Sequence, residues 1–316
     1  MSPLLTVRDL HVRLAGSGGA TLHALRGLDL TLDAGQSLAL IGESGSGKTL
    51  TALALIGLLP DGATATGSIR LGDRELLTMA EDDWCAVRGR RIAMVFQEPL
   101  TALNPLQRVR DQVMEPIRIH RLAPTRDAAL ARAMALLRRV GLDERLAASY
   151  PHQLSGGQRQ RALIAMALAA EPALLIADEP TTALDAQLRV QILALLSDLV
   201  AERGMGLLLI SHDLALTARR VQRIAILYGG RVMEQGAATT LLDDPRHPYT
   251  QALWAARARL GGGRDQVLHP LPGNVPSVAQ LGPGCPFSPR CPLATARCAA
   301  ESPPWDGRLA CWEVAG

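Results

Sequence analysis

Hydrophobic residues occur along this chain in short continuous runs, which are typical of strands covered on both faces of a sheet. Four such runs are SLALIG at 37–42, ALLIADEP at 173–180, GLLLISHD at 206–213 and RIAILYGGRV at 223–232. Residues 5–14 and 27–33 alternate more nearly between apolar and polar, and they predict two strands joined by a Gly/Ser-rich link. Residues 67–72 and 91–97 predict two more.

Apolar residues at helical spacing lie between many of these strands. The pattern is helical from Pro105 to about Arg161, and residues 186–204 predict another helix. The run ALARAMALLRRVG ends at Gly141, and glycine is a common residue just after a helix. Strands that alternate with helices predict an α/β fold with a largely parallel sheet.

Composition changes after about Asp244. DDPRHPYTQALW predicts one short helix, and Pro, Gly and Cys dominate from there to the end. We therefore predict a main domain at 1–245 and a C-terminal extension at 246–316, with a four-cysteine module at 285–311.

Composition and charge narrow the class of protein. The chain has 316 residues, 48% hydrophobic and only 3% aromatic, so its core is predicted to be aliphatic. A net charge of +3 gives no reason to expect a nucleic-acid partner. The N-terminus lacks the apolar stretch of a signal peptide, and no apolar run is long enough to span a membrane. We expect a soluble protein of a reducing compartment, where clustered cysteines suggest metal binding or catalysis.

The sequence GESGSGKT fits the phosphate-binding pattern G-x-x-x-x-G-K-[ST] and lies between a predicted strand and a predicted helix. In such a loop, backbone N–H groups and the helix N-terminus face the phosphates. Lys48 is expected to reach the β- and γ-phosphates, and Thr49 to hold Mg²⁺. The predicted nucleotide-binding residues of this loop are Gly42, Glu43, Ser44, Gly45, Ser46, Gly47, Lys48 and Thr49.

Two acidic residues follow a buried apolar strand. Asp178 ends that strand, where a carboxylate is costly unless it meets a cation, so we predict that it holds Mg²⁺. Glu179 is predicted to orient and activate a water for attack on the γ-phosphate. A surface acidic pair before a proline turn is the alternative interpretation of these residues taken alone.

LSGGQRQR contains a capping box, with Ser155 as the N-cap and Gln158 three residues later. Two glycines after the cap leave bare N–H groups at the start of the helix, which favours an anion. The predicted phosphate contacts here are Leu154, Ser155, Gly156, Gly157 and Gln158.

Together these stretches resemble an ABC-type ATPase subunit. GESGSGKT, LSGGQ, LLIADEP, TALD and ISHD occur in that family's order over about residues 4–245. The resemblance implies a P-loop ATPase with a RecA-like parallel sheet core, an antiparallel β subdomain and a helical subdomain at about 98–165. It also implies a head-to-tail dimer, in which each ATP lies between the phosphate loop of one subunit and LSGGQ of the other.

The same resemblance implies roles for three further residues. Gln97 is expected to contact Mg²⁺ and the transmembrane partner, Asp185 to lie in the D-loop, and His212 to touch the γ-phosphate. In one respect the chain departs from the family, because residues 11–25 contain no aromatic residue to stack on adenine. Leu14, Leu22 or His23 is the candidate, and we expect weaker nucleotide affinity as a result.

FQEPLTALNP at 96–105 and DDPRHPYTQAL at 243–253 resemble ATPase subunits of dipeptide and oligopeptide importers, and ADEPTTALD resembles the first of their two ATPases. That resemblance implies a second, different ATPase, two membrane permeases and an external binding protein. It also implies a peripheral position on the cytoplasmic face of the bacterial inner membrane. Dipeptides, longer peptides, glutathione and nickel or metallophore chelates all remain open as solutes, and a non-transport ABC ATPase is the alternative from another class.

Four of the five cysteines, Cys285, Cys291, Cys298 and Cys311, lie in the last 32 residues. Their spacing, C-x₅-C-x₆-C-x₁₂-C, is not that of a common zinc ribbon. Some relatives of the importer type hold a [4Fe–4S] cluster in a similar tail, and four thiolates suit that cluster. Zinc, free thiols and disulfides are the alternatives, and Cys85 is predicted to be a buried apolar residue.

Overall fold

A computed structural model of the protein describes residues 3–16, 19–182, 184–256 and 273–314. The described residues form two compact units. The first unit draws on Met1–Leu4, Leu32–Ser37 and Thr78–Ile210, and the second on Leu5–Thr31, Leu38–Leu77 and Ser211–Gly316.

The first unit contains three parallel strands in the order β6–β7–β8. They are β6 (Ile92–Val95), β7 (Leu174–Asp178) and β8 (Gly206–Ser211). All five residues of β7 are buried, as its continuous apolar sequence predicts. Because parallel strands end at the same edge, this register brings Asp178 opposite Ile210.

Helices make up most of the rest of the first unit. They are α2 (Glu81–Val87), α3 (Pro99–Ala102), α4 (Val109–Ile119), α5 (Arg126–Arg139), α6 (Glu144–Ala147), α7 (Gly156–Leu168) and α8 (Ala186–Arg203), with a 3₁₀ turn at Pro151–Gln153. α4 packs against both α5 and α7. α5 ends just before Gly141, whose φ of 81° is the left-handed backbone expected after a helix.

The second unit contains two groups of paired strands. An antiparallel sheet has the order β2–β1–β4–β5, formed by β1 (Leu5–Ala15), β2 (Thr21–Leu32), β4 (Thr64–Leu71) and β5 (Arg74–Glu75). The other group has the order β10–β9–β3, formed by β3 (Ser37–Ile41), β9 (Arg223–Tyr228) and β10 (Arg231–Ala237). β3 and β9 are parallel, whereas β9 and β10 are antiparallel.

Short helices complete the second unit. They are α1 (Lys48–Leu55), α9 (Leu214–Ala218), α10 (Ala238–Asp243), α11 (Pro248–Ala255) and α12 (Ala296–Ala300), with 3₁₀ turns at Val278–Gln280 and Ser288–Arg290. The extension returns to β10, where Ala310 N donates to Met233 O at 2.9 Å and Gln235 N donates to Arg308 O at 2.8 Å. In the described part of the chain, no helix combines the length and the apolar character needed to cross a membrane.

Two local predictions were wrong. RIAILYGGRV is a hairpin and not one strand, because Gly229 and Gly230 both take positive φ and reverse the chain between β9 and β10. Cys85 is exposed and not buried, because α2 turns Trp84 and Val87 inward and leaves Cys85 on the opposite face.

Candidate nucleotide site

The phosphate-binding loop of the second unit connects β3 to α1. Lys48 is only 6% exposed, and its Nζ donates to the carbonyl oxygens of Gly42 at 2.9 Å and Glu43 at 3.1 Å. Ser46 is fully buried, and its Oγ has no hydrogen-bond partner among the described residues. Ser44 and Thr49 are exposed. The loop therefore encloses Lys48 and Ser46, whereas Ser44 and Thr49 are accessible on its outer side.

Two glycines of this loop have steric reasons for their identity. A Cβ at Gly42 would lie 2.2 Å from the carbonyl oxygen of Leu227 and 2.7 Å from Ser46 Oγ. Gly47, the N-cap of α1, has a φ of 106°, which side chains other than glycine rarely adopt. The tight turn and the close backbone approach predicted for this loop are therefore both present.

Asp178 and Glu179 lie at the end of β7 in the first unit. Asp178 is 2% exposed. Glu179 has a φ of 45°, and its N–H donates to Ile210 O at 3.0 Å, while its Oε2 accepts from Thr182 Oγ1 at 2.7 Å. A left-handed backbone at a residue other than glycine costs about 1–3 kcal/mol and is often found where function requires it. The fold thus fixes both the backbone and the carboxylate of Glu179.

The LSGGQ stretch begins α7 with the predicted capping box. Ser155 Oγ accepts from Gln158 N at 3.3 Å, and Gln158 Oε1 accepts from Ser155 N at 2.9 Å, so this prediction is confirmed. Gly157 also has a packing role, because a Cβ there would lie 3.1 Å from Leu188 Cδ1. Glycine at position 157 therefore allows α7 to pack closely against Leu188 of α8, and it also leaves the backbone N–H groups at the start of α7 uncovered.

A cavity of about 110 Å³ in the first unit brings two predicted residues together, Gln97 and Gly156. Gln97 lines it, together with Gly156 of the LSGGQ stretch and Thr182, which holds Glu179. Gln160, 2% exposed, lines it as well, and its Nε2 has no partner among the described residues. Sequence reasoning missed Gln160, whose one signal is a polar side chain on the inward face of α7.

The two remaining predicted residues are Asp185, at the start of a helix, and His212, just after the end of a strand. Asp185 is the N-cap of α8 and accepts from Leu188 N at 2.9 Å, so its carboxylate already has a local structural role. His212 follows β8 and is exposed in the second unit.

Comparison with known proteins agrees with this geometry. Residues 25–182 match the ABC transporter family, and residues 233–298 match the C-terminal region of oligopeptide/dipeptide transporters. An oligopeptide transport ATP-binding protein, OppD, of Haemophilus influenzae is 41% identical over 94% of this chain and 92% of its own length. The chain belongs to the ABC transporter family.

Other ABC proteins are similar over different lengths. OppD of Mycobacterium tuberculosis is 44% identical over 96% of this chain, but the chain spans only 50% of that relative's length. Among solved structures, the ATP-binding cassette MJ0796 in a dimeric post-hydrolysis state, bound to ADP and Pi, matches with a TM-score of 0.67 and 30% identity. That match covers 74% of this chain and 98% of the cassette. The predicted ABC-type P-loop fold is therefore confirmed.

The cysteine module of this ABC family member is compact. Cys285 N donates to Cys298 O at 2.8 Å, and Cys298 Sγ lies 3.4 Å from Thr295 Oγ1. Burial raises the pKa of Cys285 to about 11, and the neighbouring Cys298 and Cys291 add to that rise. Burial also raises the pKa of Cys291, with smaller contributions from Cys311 and Cys298. In the described residues, no group of three or more His, Cys, Asp or Glu side chains is arranged to hold a metal ion.

Proposed function

We propose that this ABC ATPase hydrolyses ATP to power the import of peptides through membrane permeases. The observation that carries the proposal is that one chain joins the phosphate loop of an ABC ATPase to the C-terminal region of oligopeptide/dipeptide transporters. The relatives' names point the same way, since they describe oligopeptide transport ATP-binding proteins.

In this proposal each predicted residue has one task. Lys48 and the backbone N–H groups of the loop bind the phosphates of ATP. Bound Mg²⁺ would neutralise phosphate charge. The proposed donors are the exposed hydroxyl of Thr49 in the second unit and, in the first unit, the amide of Gln97 and the buried carboxylate of Asp178. These oxygen donors are the type that Mg²⁺ prefers, so the residues fit the ion.

Hydrolysis in this proposal depends on Glu179. The hydrogen bond from Thr182 holds its carboxylate where it orients and activates the attacking water. His212 contacts the γ-phosphate. Asp185 and the LSGGQ stretch from Leu154 to Gln158 complete the site across a head-to-tail pair with a second, homologous ATPase.

The test of the chemistry is Glu179→Gln. We expect ATP turnover to fall by about 100-fold or more while ATP binding remains, because only the base is removed. Glu115→Gln, at an exposed position of α4, is the matched control. Near-normal turnover of the Glu179 variant would refute the assignment of the base.

Import requires partners, which we propose to be two permeases, a second ATPase and an external binding protein, at the cytoplasmic face of the inner membrane. The helical part of the first unit offers a surface for them, since Leu106 and Ile119 are 85% and 66% exposed. Eight arginines lie between Pro105 and Val140. Some of them form ion pairs within the unit: Arg132 Nη2 lies 2.7 Å from Glu171 Oε1. Arg118 and Arg121, in contrast, are exposed beside Ile119.

The test of import uses the chain together with the proposed permeases and second ATPase, reconstituted in vesicles. Added peptides with their binding protein should stimulate ATP turnover, whereas glutathione or nickel chelates should not. Stimulation by a chelate in place of peptides would overturn the peptide assignment and leave the ATPase assignment intact.

The finer proposal for the tail is that its four cysteines bind a [4Fe–4S] cluster, with zinc as the alternative. The support is chemical, since four thiols share one small module and four thiolates suit such a cluster. Among the described residues the four cysteines are not arranged as a metal-ligand set, so we assign the module no step in catalysis. Anaerobic purification followed by iron, acid-labile sulfide and zinc analysis tests the proposal, with Cys291→Ser as the variant and Cys85→Ser as the control.

A further inference from the structure

The C-terminal extension contacts the phosphate loop directly, within the second unit. Arg290 donates from Nη1 to Oε2 of Glu43 at 2.7 Å and from Nη2 to Oε1 at 3.3 Å. The arginine side chain is 5% exposed and the glutamate side chain 26%. Such a two-point pair fixes the direction of the carboxylate as well as neutralising it.

Tyr249 of α11 contacts the same loop residue. Its hydroxyl accepts from the backbone N–H of Glu43 at 3.1 Å. The carbonyl oxygen of Glu43 accepts in turn from Lys48 Nζ at 3.1 Å. Glu43 therefore connects Arg290 and Tyr249 to the lysine that is proposed to reach the phosphates.

An aromatic cluster holds these two contacts in place. Phe287, fully buried, packs edge-on against Tyr228 with ring centroids 5.4 Å apart and lies 5.2 Å from Tyr249. Tyr228 OH also accepts from Arg290 Nη1 at 3.1 Å. In a chain with only two phenylalanines and three tyrosines, this grouping gives a rigid support to the loop contact.

The turn between β9 and β10 gives a second connection. Gly230 N donates to Ser46 O of the phosphate loop at 3.0 Å. A Cβ at Gly229 would lie 2.5 Å from Cβ of Pro286 in the extension. The turn at Gly229 and Gly230 therefore lies between the phosphate loop and the extension, and a side chain at position 229 would clash with Pro286.

We infer that Arg290 and Tyr249 are positioning residues for ATP binding, which hold the phosphate loop through Glu43. Without Arg290, the carboxylate of Glu43 stays charged on the loop that must accept a polyphosphate, so it would repel ATP and release the loop backbone. Removal of the Tyr249 hydroxyl frees the N–H of Glu43 and loosens the same backbone. Both effects act on nucleotide affinity before any chemical step.

The test is ATP affinity of the full-length chain, measured with Mg²⁺–ATP and a fluorescent ATP analogue. Arg290→Met should raise Kd about three- to tenfold, the range of one or two hydrogen bonds, while kcat at saturating ATP changes less than twofold. Arg308→Met, at an exposed arginine of the same extension, is the matched control and should bind ATP normally.

Rescue separates positioning from general support of the fold. If the unpaired carboxylate causes the loss, Glu43→Gln in the Arg290→Met background should restore most of the affinity. Unchanged Kd in Arg290→Met, or no rescue by Glu43→Gln, would overturn the inference. Should Arg290→Met not fold, Tyr249→Phe keeps the ring packing, and its unchanged Kd would overturn the inference equally.

The inference rests on the proposal that this loop binds ATP, and Lys48→Ala tests that proposal separately. If Lys48→Ala binds ATP normally, the loop assignment itself fails. If Lys48→Ala loses binding while Arg290→Met and Tyr249→Phe retain it, only the positioning role fails.

Discussion

Acid should destabilise the fold through one buried histidine of the C-terminal extension. His247 is the N-cap of α11 and is 1% exposed, and its Nδ1 accepts from Tyr249 N at 3.0 Å. The other side of the ring hydrogen-bonds the backbone of Ala310 at the end of the extension. A buried carboxylate, Glu234, is bonded to the same residue: it is 4% exposed, and its Oε2 accepts from the backbone N–H of His247 at 3.1 Å.

Burial lowers the pKa of His247 from 6.5 to about 4. A histidine whose pKa is lower in the folded chain binds its proton more weakly there than in the unfolded chain. Its contribution to stability is therefore complete above pH 6.5 and is lost as the pH falls towards 4. With 1.36 kcal/mol for each unit of pKa shift, the loss between pH 7.5 and pH 5 is about 2 kcal/mol, and in full about 3 kcal/mol.

The assay is the free energy of unfolding in urea at pH 7.5 and pH 5, followed by tryptophan fluorescence, for the natural chain and for His247→Gln. Glutamine does not titrate, so the variant removes only this part of the pH dependence, whatever its fixed cost. We expect the natural chain to lose about 2 kcal/mol more than the variant between the two pH values. An equal loss in both chains would refute the reasoning.

Two further substitutions test the steric and capping arguments. Gly42→Ala should destabilise the chain by about 1–3 kcal/mol and abolish ATP binding, because the new Cβ meets a carbonyl oxygen at 2.2 Å. Thermal unfolding and ATP-binding assays measure the two effects. Gly282→Ala is the control, because there is open space around Gly282. Ser155→Ala should cost about 1 kcal/mol of stability and also lower ATP turnover in the assembled pair, whereas Thr125→Ala, which removes the N-cap of α5, should cost only stability. Equal turnover in the two capping variants would count against a phosphate role for the LSGGQ helix start.

The fold and the local structure of the candidate nucleotide site could largely be predicted because their signals are local. GESGSGKT requires a strand before it and a helix after it, and the structure has β3 and α1 there. LSGGQ specifies its own cap through Ser155 and Gln158, only three residues apart. The buried strands β3 and β7 were visible as continuous apolar runs, since both faces of each are covered.

Contacts between distant segments could not be predicted in the same way. Arg290 and Glu43 are 247 residues apart, and either side chain alone is an ordinary charged residue. Asp185 looked like a site residue only through family resemblance, although it also has a capping role that the sequence pattern of α8 permits. The hairpin of β9 and β10 lies within one apolar run, so hydrophobicity alone predicts a single strand; the Gly-Gly pair is the local signal for the turn.

The contact between Arg290 and Glu43 links the cysteine module to the loop that we propose binds ATP. Cys291 directly follows Arg290, and Phe287 lies two residues after Cys285. A change in the module that shifts the 3₁₀ turn at Ser288–Arg290 would move the guanidinium that holds Glu43.

This route makes a prediction about coupling between two substitutions. Cys291→Ser should raise the Kd for ATP in the natural chain but add little in the Arg290→Met background, because the path to Glu43 is already broken there. Effects that multiply in the double variant would show that the module acts on ATP binding by another path. If Cys291→Ser has no effect on Kd in either background, the module has only a structural role in the extension.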